Sequence, residues 1–113
     1  MRRVEALGEF EQLVLLAIVR LAANAYGSTI REEIEDRTER SVAIGALYTA
    51  LDRLERKGYV SSTMSDPTPQ RGGRAKRYFW LRPAGVAALR RSREVLSRMW
   101  SGIAIDGLDG RRP

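Results

Sequence analysis

The sequence predicts a mainly helical protein that contains one small β-hairpin. Three observations lead to this prediction. An amphipathic helical segment at residues 44–57 ends at Gly58, a short β-type run at 59–64 follows it at once, and a second β-type run lies at 77–81 beyond a stretch rich in proline and glycine. With 113 residues the chain is long enough for one domain with a modest core and too short for two.

The first predicted helix covers residues 8–23 and is apolar on nearly every side. Its apolar residues are Phe10, Leu13, Val14, Leu15, Leu16, Ala17, Ile18 and Leu21. A helix of this kind has to be buried on more than one face. In a domain this small we expect the second face to contact a partner subunit, with Phe10 and Leu13 at that interface.

The second predicted helix is short and covers residues 28–37. Tyr26 and Gly27 interrupt the first helical pattern, and we expect the hydroxyl of Ser28 to cap the helix that follows. The connector after this helix brings Ser41 just ahead of the next one. There its hydroxyl either caps the third helix or donates a hydrogen bond to a phosphate, and of these two roles we favour the cap.

The third predicted helix has one apolar and one polar face, because side chains three and four positions apart share a face. The apolar face contains Ile44, Leu47, Ala50, Leu51 and Leu54. The opposite face is polar and shallow at its start and basic further along, with Gly45, Thr49, Asp52, Arg53 and Arg56, while Tyr48 lies at the edge. A helix in the major groove contacts bases with its N-terminal residues and phosphates with its basic residues. The pattern favours such a helix, although an ordinary surface helix also has two faces.

The hairpin tip at residues 65–76 is basic, and its prolines and glycines exclude regular structure. The basic side chains of the tip and the returning strand are Arg71, Arg74, Lys76 and Arg77. The formal net charge of the chain is +6, and residues 61–98 hold nine basic against two acidic residues. A basic tip beside a recognition helix can bind the phosphate backbone or enter the minor groove. The alternative is a solvated hairpin end, which this local charge disfavours.

The last predicted helix begins at Pro83, a favoured first-turn residue, and continues to about residue 101. Leu89, Leu96 and Ile103 are spaced by seven, and Met99 and Trp100 lie between the last two of them. Two heptads are too few to define a coiled coil, but they favour pairing with other helices, which we expect across a dimer. The glycine-rich, charged tail at 106–113 is expected to be disordered.

The composition excludes several classes of protein. Cysteine and histidine are both absent, so disulfides, the usual zinc ligands and the common nucleophile and base pairs have no residues to form them. We therefore expect no enzyme, no metal and no cofactor. No apolar run approaches the roughly 18 residues of a membrane span, and the N-terminus lacks the pattern of a secretory signal. The sequence predicts a cytoplasmic protein without a membrane partner.

Several segments closely resemble the PadR family of bacterial transcriptional regulators. They are residues 7–18, 25–27, 44–60, 71–78 and 81–85, of which 44–60 and 71–78 are the specific part. The resemblance implies a winged helix-turn-helix DNA-binding domain, which we assign to residues 1–82, followed by a C-terminal dimerisation helix at 83–105. Having only one helix after the hairpin, the chain is similar to the short members of the family.

The resemblance implies a homodimeric regulator, usually a repressor, that binds a palindromic operator in double-stranded DNA. Together with the helix pattern it gives these candidate DNA-binding residues: Tyr26, Ser28, Ser41, Gly45, Tyr48, Thr49, Arg53, Arg71, Arg74 and Lys76. The candidate dimer interface contains Phe10, Leu13, Leu89, Leu96, Met99, Trp100 and Ile103. The alternative function is a winged-helix protein-interaction module that does not read DNA, which the basic hairpin disfavours.

Some short members of the family bind flat aromatic or cationic compounds at the dimer interface, beside a tryptophan of the last helix. Trp100 is the matching residue, so the resemblance implies a small aromatic effector there. The alternative is that Trp100 only anchors the dimer core, and we favour it, because large aromatic side chains are common at interfaces.

Overall fold

The computed structural model of the protein describes residues 6–66 and 75–113. Within these ranges the chain forms four α-helices and a two-stranded antiparallel sheet, which confirms the predicted fold class. The elements in chain order are α1 (Glu9–Leu21), α2 (Gly27–Thr38), α3 (Ile44–Arg56), β1 (Val60–Met64), β2 (Arg77–Leu81) and α4 (Pro83–Trp100), with short 3₁₀ turns at Ala22–Asn24 and Ile105–Gly107. No helix of the described part is long and apolar enough to span a membrane.

The core forms where α1 packs against α2, α3 and β2. Its largest fully buried side chains are Val14, Leu15, Ile30, Leu47, Leu51, Leu54 and Val60. A buried ion pair closes one end of this core, where Glu11 Oε2 lies 3.2 Å from Lys57 Nζ. The other carboxylate oxygen of Glu11 accepts a hydrogen bond from the Gly8 amide at 3.1 Å. Glu11 thus caps α1 and connects it to the residue that follows α3.

Helix α2 is capped by Thr29, so the prediction of Ser28 as its cap was wrong. The Tyr26 amide donates a hydrogen bond to Thr29 Oγ1 at 3.0 Å, and the Thr29 hydroxyl donates to the Asn24 carbonyl at 2.6 Å. The reason is the position of the N-cap, which is Tyr26 in extended conformation. The residue three positions after an N-cap faces back toward the open amides, whereas Ser28 points outward and is exposed.

Helix α3 starts without a side-chain cap, so the favoured capping role of Ser41 was also wrong. Its N-cap is Ala43, two residues later than Ser41, which is exposed in the connector. The connector is held by Glu35 of α2, whose Oε2 accepts a hydrogen bond from the Val42 amide at 2.9 Å. Ile44, which we expected in the core, is 42% exposed because it lies on the first turn of α3, beyond the buried stretch.

The hairpin follows α3 through Gly58, which ends the helix as predicted and has φ +78°. Strands β1 and β2 pair from Val60 opposite Leu81 to Met64 opposite Arg77. The segment before α2 also pairs with β2 through a single β-bridge, which the sequence pattern did not indicate. There the Phe79 amide donates to the Ala25 carbonyl at 2.9 Å, and Tyr26 and Tyr78 form a β-bridge.

Helix α4 is anchored to the core through its first half. The Arg82 amide donates a hydrogen bond to the Tyr59 carbonyl at 2.9 Å, and Gly85 packs directly against that carbonyl. Beyond Leu89 the apolar side chains of the helix are exposed. The helix ends at Trp100, within one residue of its predicted end at about 101. The radius of gyration is 17.3 Å, against about 13 Å for a compact domain of this length, because α4 extends away from the core.

Candidate nucleic-acid interface

The exposed face of α3 contains the polar and basic residues that the sequence pattern assigned to it. Leu47, Ala50, Leu51 and Leu54 are buried. Gly45, Thr49, Asp52, Arg53 and Arg56 are exposed. A Cβ atom added at Gly45 would have no neighbouring atom within 4 Å, so the start of this face is open and shallow. Such a surface can approach base edges closely.

Tyr48 lies at the boundary between α3 and α2. Its side chain is half exposed, and its phenol ring packs on the backbone of Gly27 at the start of α2. The phenol therefore bridges the two helices of the helix-turn-helix on the side where α3 is exposed. The Tyr48 ring occupies the space that a side chain at position 27 would fill, and this packing requires glycine there.

Tyr26, Tyr78 and Lys76 form a cluster beside the N-terminus of α2. The rings of Tyr26 and Tyr78 meet edge to face with centroids 5.4 Å apart. Lys76 Nζ lies 4.4 Å from the centroid of the Tyr26 ring and 3.4 Å from its hydroxyl oxygen. This cation–π contact holds the exposed ammonium at the root of the hairpin. The cluster offers a positive charge and a phenol hydroxyl to a polyanion.

Arg77 differs from its neighbour Lys76, although charge clustering grouped both with the basic tip. It extends to the other face of the hairpin, where Glu55, Asp52 and Ser62 contact it. Ser28 and Ser41 are exposed, on the first turn of α2 and in the connector before α3. The two remaining predicted sites, Arg71 and Arg74, lie outside the described residues.

A groove between α1 and α4 forms the second candidate site. Its volume is about 760 Å³, and it is lined by Gln12, Leu16, Val19, Leu81, Val86, Leu89, Arg90, Arg93, Leu96, Ser97 and Trp100. Trp100 is half exposed at the distal end of α4, and Leu96, Met99 and Ile103 are also exposed. Among the described residues no cluster of carboxylates is arranged to hold a metal ion.

The predicted interface residues of α1 are less exposed than those in the second half of α4. Phe10 and Leu13 are partly buried against the core of their own chain. Leu16 and Val19 are exposed and line the groove, and they were not among the predicted interface residues. Their spacing of three was a usable signal, but an all-apolar helix does not reveal which of its faces meets the core.

The sequence and the fold of the chain are similar to those of known proteins. A family model described as "Transcriptional regulator PadR-like family" matches residues 15–91. The chain is similar to the solved structure of RosR from H. salinarum, with 26% identity over 87% of this chain and 81% of that one and a TM-score of 0.68. It is also similar to a PadR family transcription regulator from hypervirulent Clostridium difficile, with 25% identity over 80% and 86% of the two chains and a TM-score of 0.60. The comparison with curated proteins gives no match.

Proposed function

Because the chain belongs to the PadR-like family of transcriptional regulators, we propose that it is a repressor that binds a palindromic operator as a homodimer. Members of this family bind DNA and are not enzymes. The observation that carries the proposal is the exposed polar face of α3 with the Lys76 and Tyr26 cluster beside it. This combination supplies one surface for base edges and a flanking one for phosphates.

In this proposal the first turns of α3 enter the major groove. Gly45 lets the backbone approach the bases, Thr49 contacts their edges, and Tyr48 contacts DNA from the α2 side of the helix. Arg53 lies one turn further along and binds a phosphate. Gly45, Thr49 and Arg53 follow one another at intervals of four residues, so they share one face of α3, and all three are exposed.

The backbone contacts come from the segments on either side of α3. Lys76 and Tyr26 at the hairpin root, Ser28 at the start of α2 and Ser41 in the connector each offer a hydrogen-bond donor to a phosphate. For Arg71 and Arg74 the proposal rests on the sequence alone, since their charge lies in the hairpin tip that would follow the DNA backbone.

The dimer in this proposal forms through α4 and the exposed face of α1. Val86, Leu96, Met99 and Trp100 on α4 are at least 42% exposed, as are Leu16 and Val19 on α1. Such a continuous apolar surface is unusual on a monomer and typical of an interface. Leu89 lies between Val86 and Leu96 in the same groove, and the exposed Ile103 follows the end of α4. A small aromatic ligand that stacks on Trp100 in the groove would act as the effector.

Fluorescence anisotropy tests the DNA-binding part. The wild-type protein is titrated into a labelled duplex from upstream of its own gene, a duplex that it has selected from a randomised pool, and a scrambled control at the same salt concentration. Specific affinity for the selected duplex, at least about a thousandfold above the scrambled one, is the expected result. Equal affinity for all three would overturn the proposal and favour a protein-interaction module. Sedimentation of wild type and Leu96→Glu tests the dimer, which the charged variant should dissociate.

A further inference from the structure

We propose that Arg77 and Glu55 form a positioning pair that fixes the hairpin in place relative to the recognition helix α3. Neither residue contacts DNA in this proposal. This inference rests on the proposed function, because it concerns how the DNA-binding surface is kept in shape. Arg77 begins β2 and Glu55 lies on the last turn of α3. The pair therefore joins the two elements that have to reach the same DNA molecule together.

Each of the three guanidinium nitrogens of Arg77 contacts a different side chain on the face of the hairpin that is turned toward α3. Its Nε donates to Ser62 Oγ at 2.8 Å, its Nη2 donates to Glu55 Oε2, and its Nη1 lies 3.7 Å from Asp52 Oδ1. The Ser62 hydroxyl in turn donates to the Glu55 carboxylate. Glu55 thus binds one residue from each strand, and the three side chains form a closed ring across α3, β1 and β2.

The charges of the cluster argue against a phosphate-binding role for Arg77. Its positive charge faces two carboxylates, so Arg77, Glu55 and Asp52 together carry one more negative than positive charge. Such a cluster does not attract a polyanion. Arg77 also lies over the ring of the buried Phe79, with Cζ 5.3 Å from the ring centroid, and this contact further restricts its side chain.

The neighbouring Lys76 shows the contrast between the two basic residues. Consecutive side chains on an extended chain point to opposite faces, and Lys76 extends toward Tyr26 and α2, while Arg77 extends toward α3. The root of the hairpin is therefore attached to both helices of the helix-turn-helix. A two-stranded hairpin is marginally stable by itself, so these attachments stabilise its position against α2 and α3.

Two variants with opposite charge changes test the proposal. Glu55→Gln makes the protein more positive by one unit, and Arg77→Gln makes it less positive by one unit. If the pair positions the hairpin, both variants reduce the ratio of affinities for the selected and the scrambled duplex, by about three- to tenfold. The double variant should be no worse than the poorer single variant, because both substitutions break the same connection.

The alternative predicts a different pattern. If Arg77 binds a phosphate and Glu55 is a bystander, Arg77→Gln weakens binding to both duplexes equally, and Glu55→Gln strengthens binding to both. The ratio of affinities for the two duplexes then stays at its wild-type value, and the effects of the two substitutions add in the double variant. This result would overturn the proposal. Arg77→Lys keeps the positive charge, but its single ammonium cannot contact all three partners of the guanidinium. The proposal therefore predicts that Arg77→Lys lowers the ratio of affinities for the selected and the scrambled duplex, as Arg77→Gln does.

Amide hydrogen exchange of the free protein provides a readout that does not depend on DNA. The Ser65 amide donates to the Lys76 carbonyl at 2.8 Å, and the Lys76 amide donates to Ser65 Oγ at 2.9 Å. Both amides should exchange faster in Glu55→Gln and Arg77→Gln, and at the wild-type rate in the control Glu32→Gln, whose position on α2 is exposed. Unchanged exchange in both variants would overturn the positioning role. Should the wild type fail to prefer any duplex, the proposed function fails and exchange alone decides this inference.

Discussion

The phenol of Tyr48 lies directly against the backbone of Gly27. A Cβ atom on Gly27 would be 2.3 Å from the Tyr48 hydroxyl oxygen and 2.9 Å from Cζ, both too close for the present arrangement. Gly27 is the first residue of α2, and Tyr48 lies in the first half of α3. The glycine therefore determines where the Tyr48 ring of α3 can lie.

The substitution Gly27→Ala is expected to alter DNA recognition more than stability. Tyr48 is 44% exposed, so its ring can rotate away from the new methyl group. Alanine in a helix is favoured over glycine by up to about 1 kcal/mol, so the unfolding free energy should stay level or rise slightly. The preference for the selected duplex should fall about three- to tenfold, as measured by anisotropy. In a Tyr48→Ala background the same substitution should have no further effect, and an additional loss there would contradict this mechanism.

Lys76 and Thr49 are expected to differ in what they contribute to binding. Lys76→Gln should weaken binding to every duplex and reduce the salt slope by about two, because each subunit of the dimer loses one phosphate contact. Thr49→Ala should leave the slope unchanged and change the preferred sequence, as read by repeating the selection from a randomised pool. Anisotropy at several salt concentrations measures the slope. A Lys76→Gln variant with the wild-type slope would show that this ammonium does not bind phosphate.

Gly85 and Gly45 form a matched pair for a stability experiment, since both lie in helices. A Cβ on Gly85 would be 2.2 Å from the Tyr59 carbonyl oxygen, and this backbone cannot move without losing its hydrogen bond to Arg82. Gly85→Ala should lower the unfolding free energy by about 1–3 kcal/mol. Gly45→Ala meets no atom within 4 Å and should raise it by up to about 1 kcal/mol. Denaturant unfolding of both variants checks the signs, and equal effects would exclude the close contact.

The buried pair of Glu11 and Lys57 is expected to matter for stability far more than the exposed pair of Glu9 and Arg40. The Glu11 and Lys57 side chains are only 11% and 18% exposed. Glu11→Ala should cost about 2–4 kcal/mol, because it leaves a buried ammonium without this carboxylate and removes the cap of α1. Glu9→Ala, on the same turn, should cost less than about 1 kcal/mol. Similar losses in chemical denaturation would mean that burial does not strengthen the pair.

Sequence patterns predicted the parts of the fold that depend on local periodicity. The buried and exposed faces of α3, its end at Gly58 and the hairpin follow from spacing and turn chemistry, which a single segment contains. The aromatic run of β2 also behaves as alternation requires, with Phe79 buried and Trp80 exposed.

The errors concern features that depend on where a helix starts or on a distant partner. Capping requires the exact N-cap position, and a shift of one or two residues moved the cap from Ser28 to Thr29 and left Ser41 outside α3. The pairing of Arg77 with Glu55 joins residues 22 positions apart, and charge clustering could only group Arg77 with the other basic residues of the tip and the returning strand. Only the packed structure separates its role from that of Lys76.

Hydroxyl-radical footprinting of the selected duplex tests the central claim most directly, namely that two copies of α3 occupy successive major grooves of one palindromic site. The proposal predicts two symmetric protected regions whose centres lie about 34 Å, or roughly ten base pairs, apart. It also predicts that protection of both regions appears together as protein is added. A single protected region, or two that fill independently at different concentrations, would contradict the dimeric repressor.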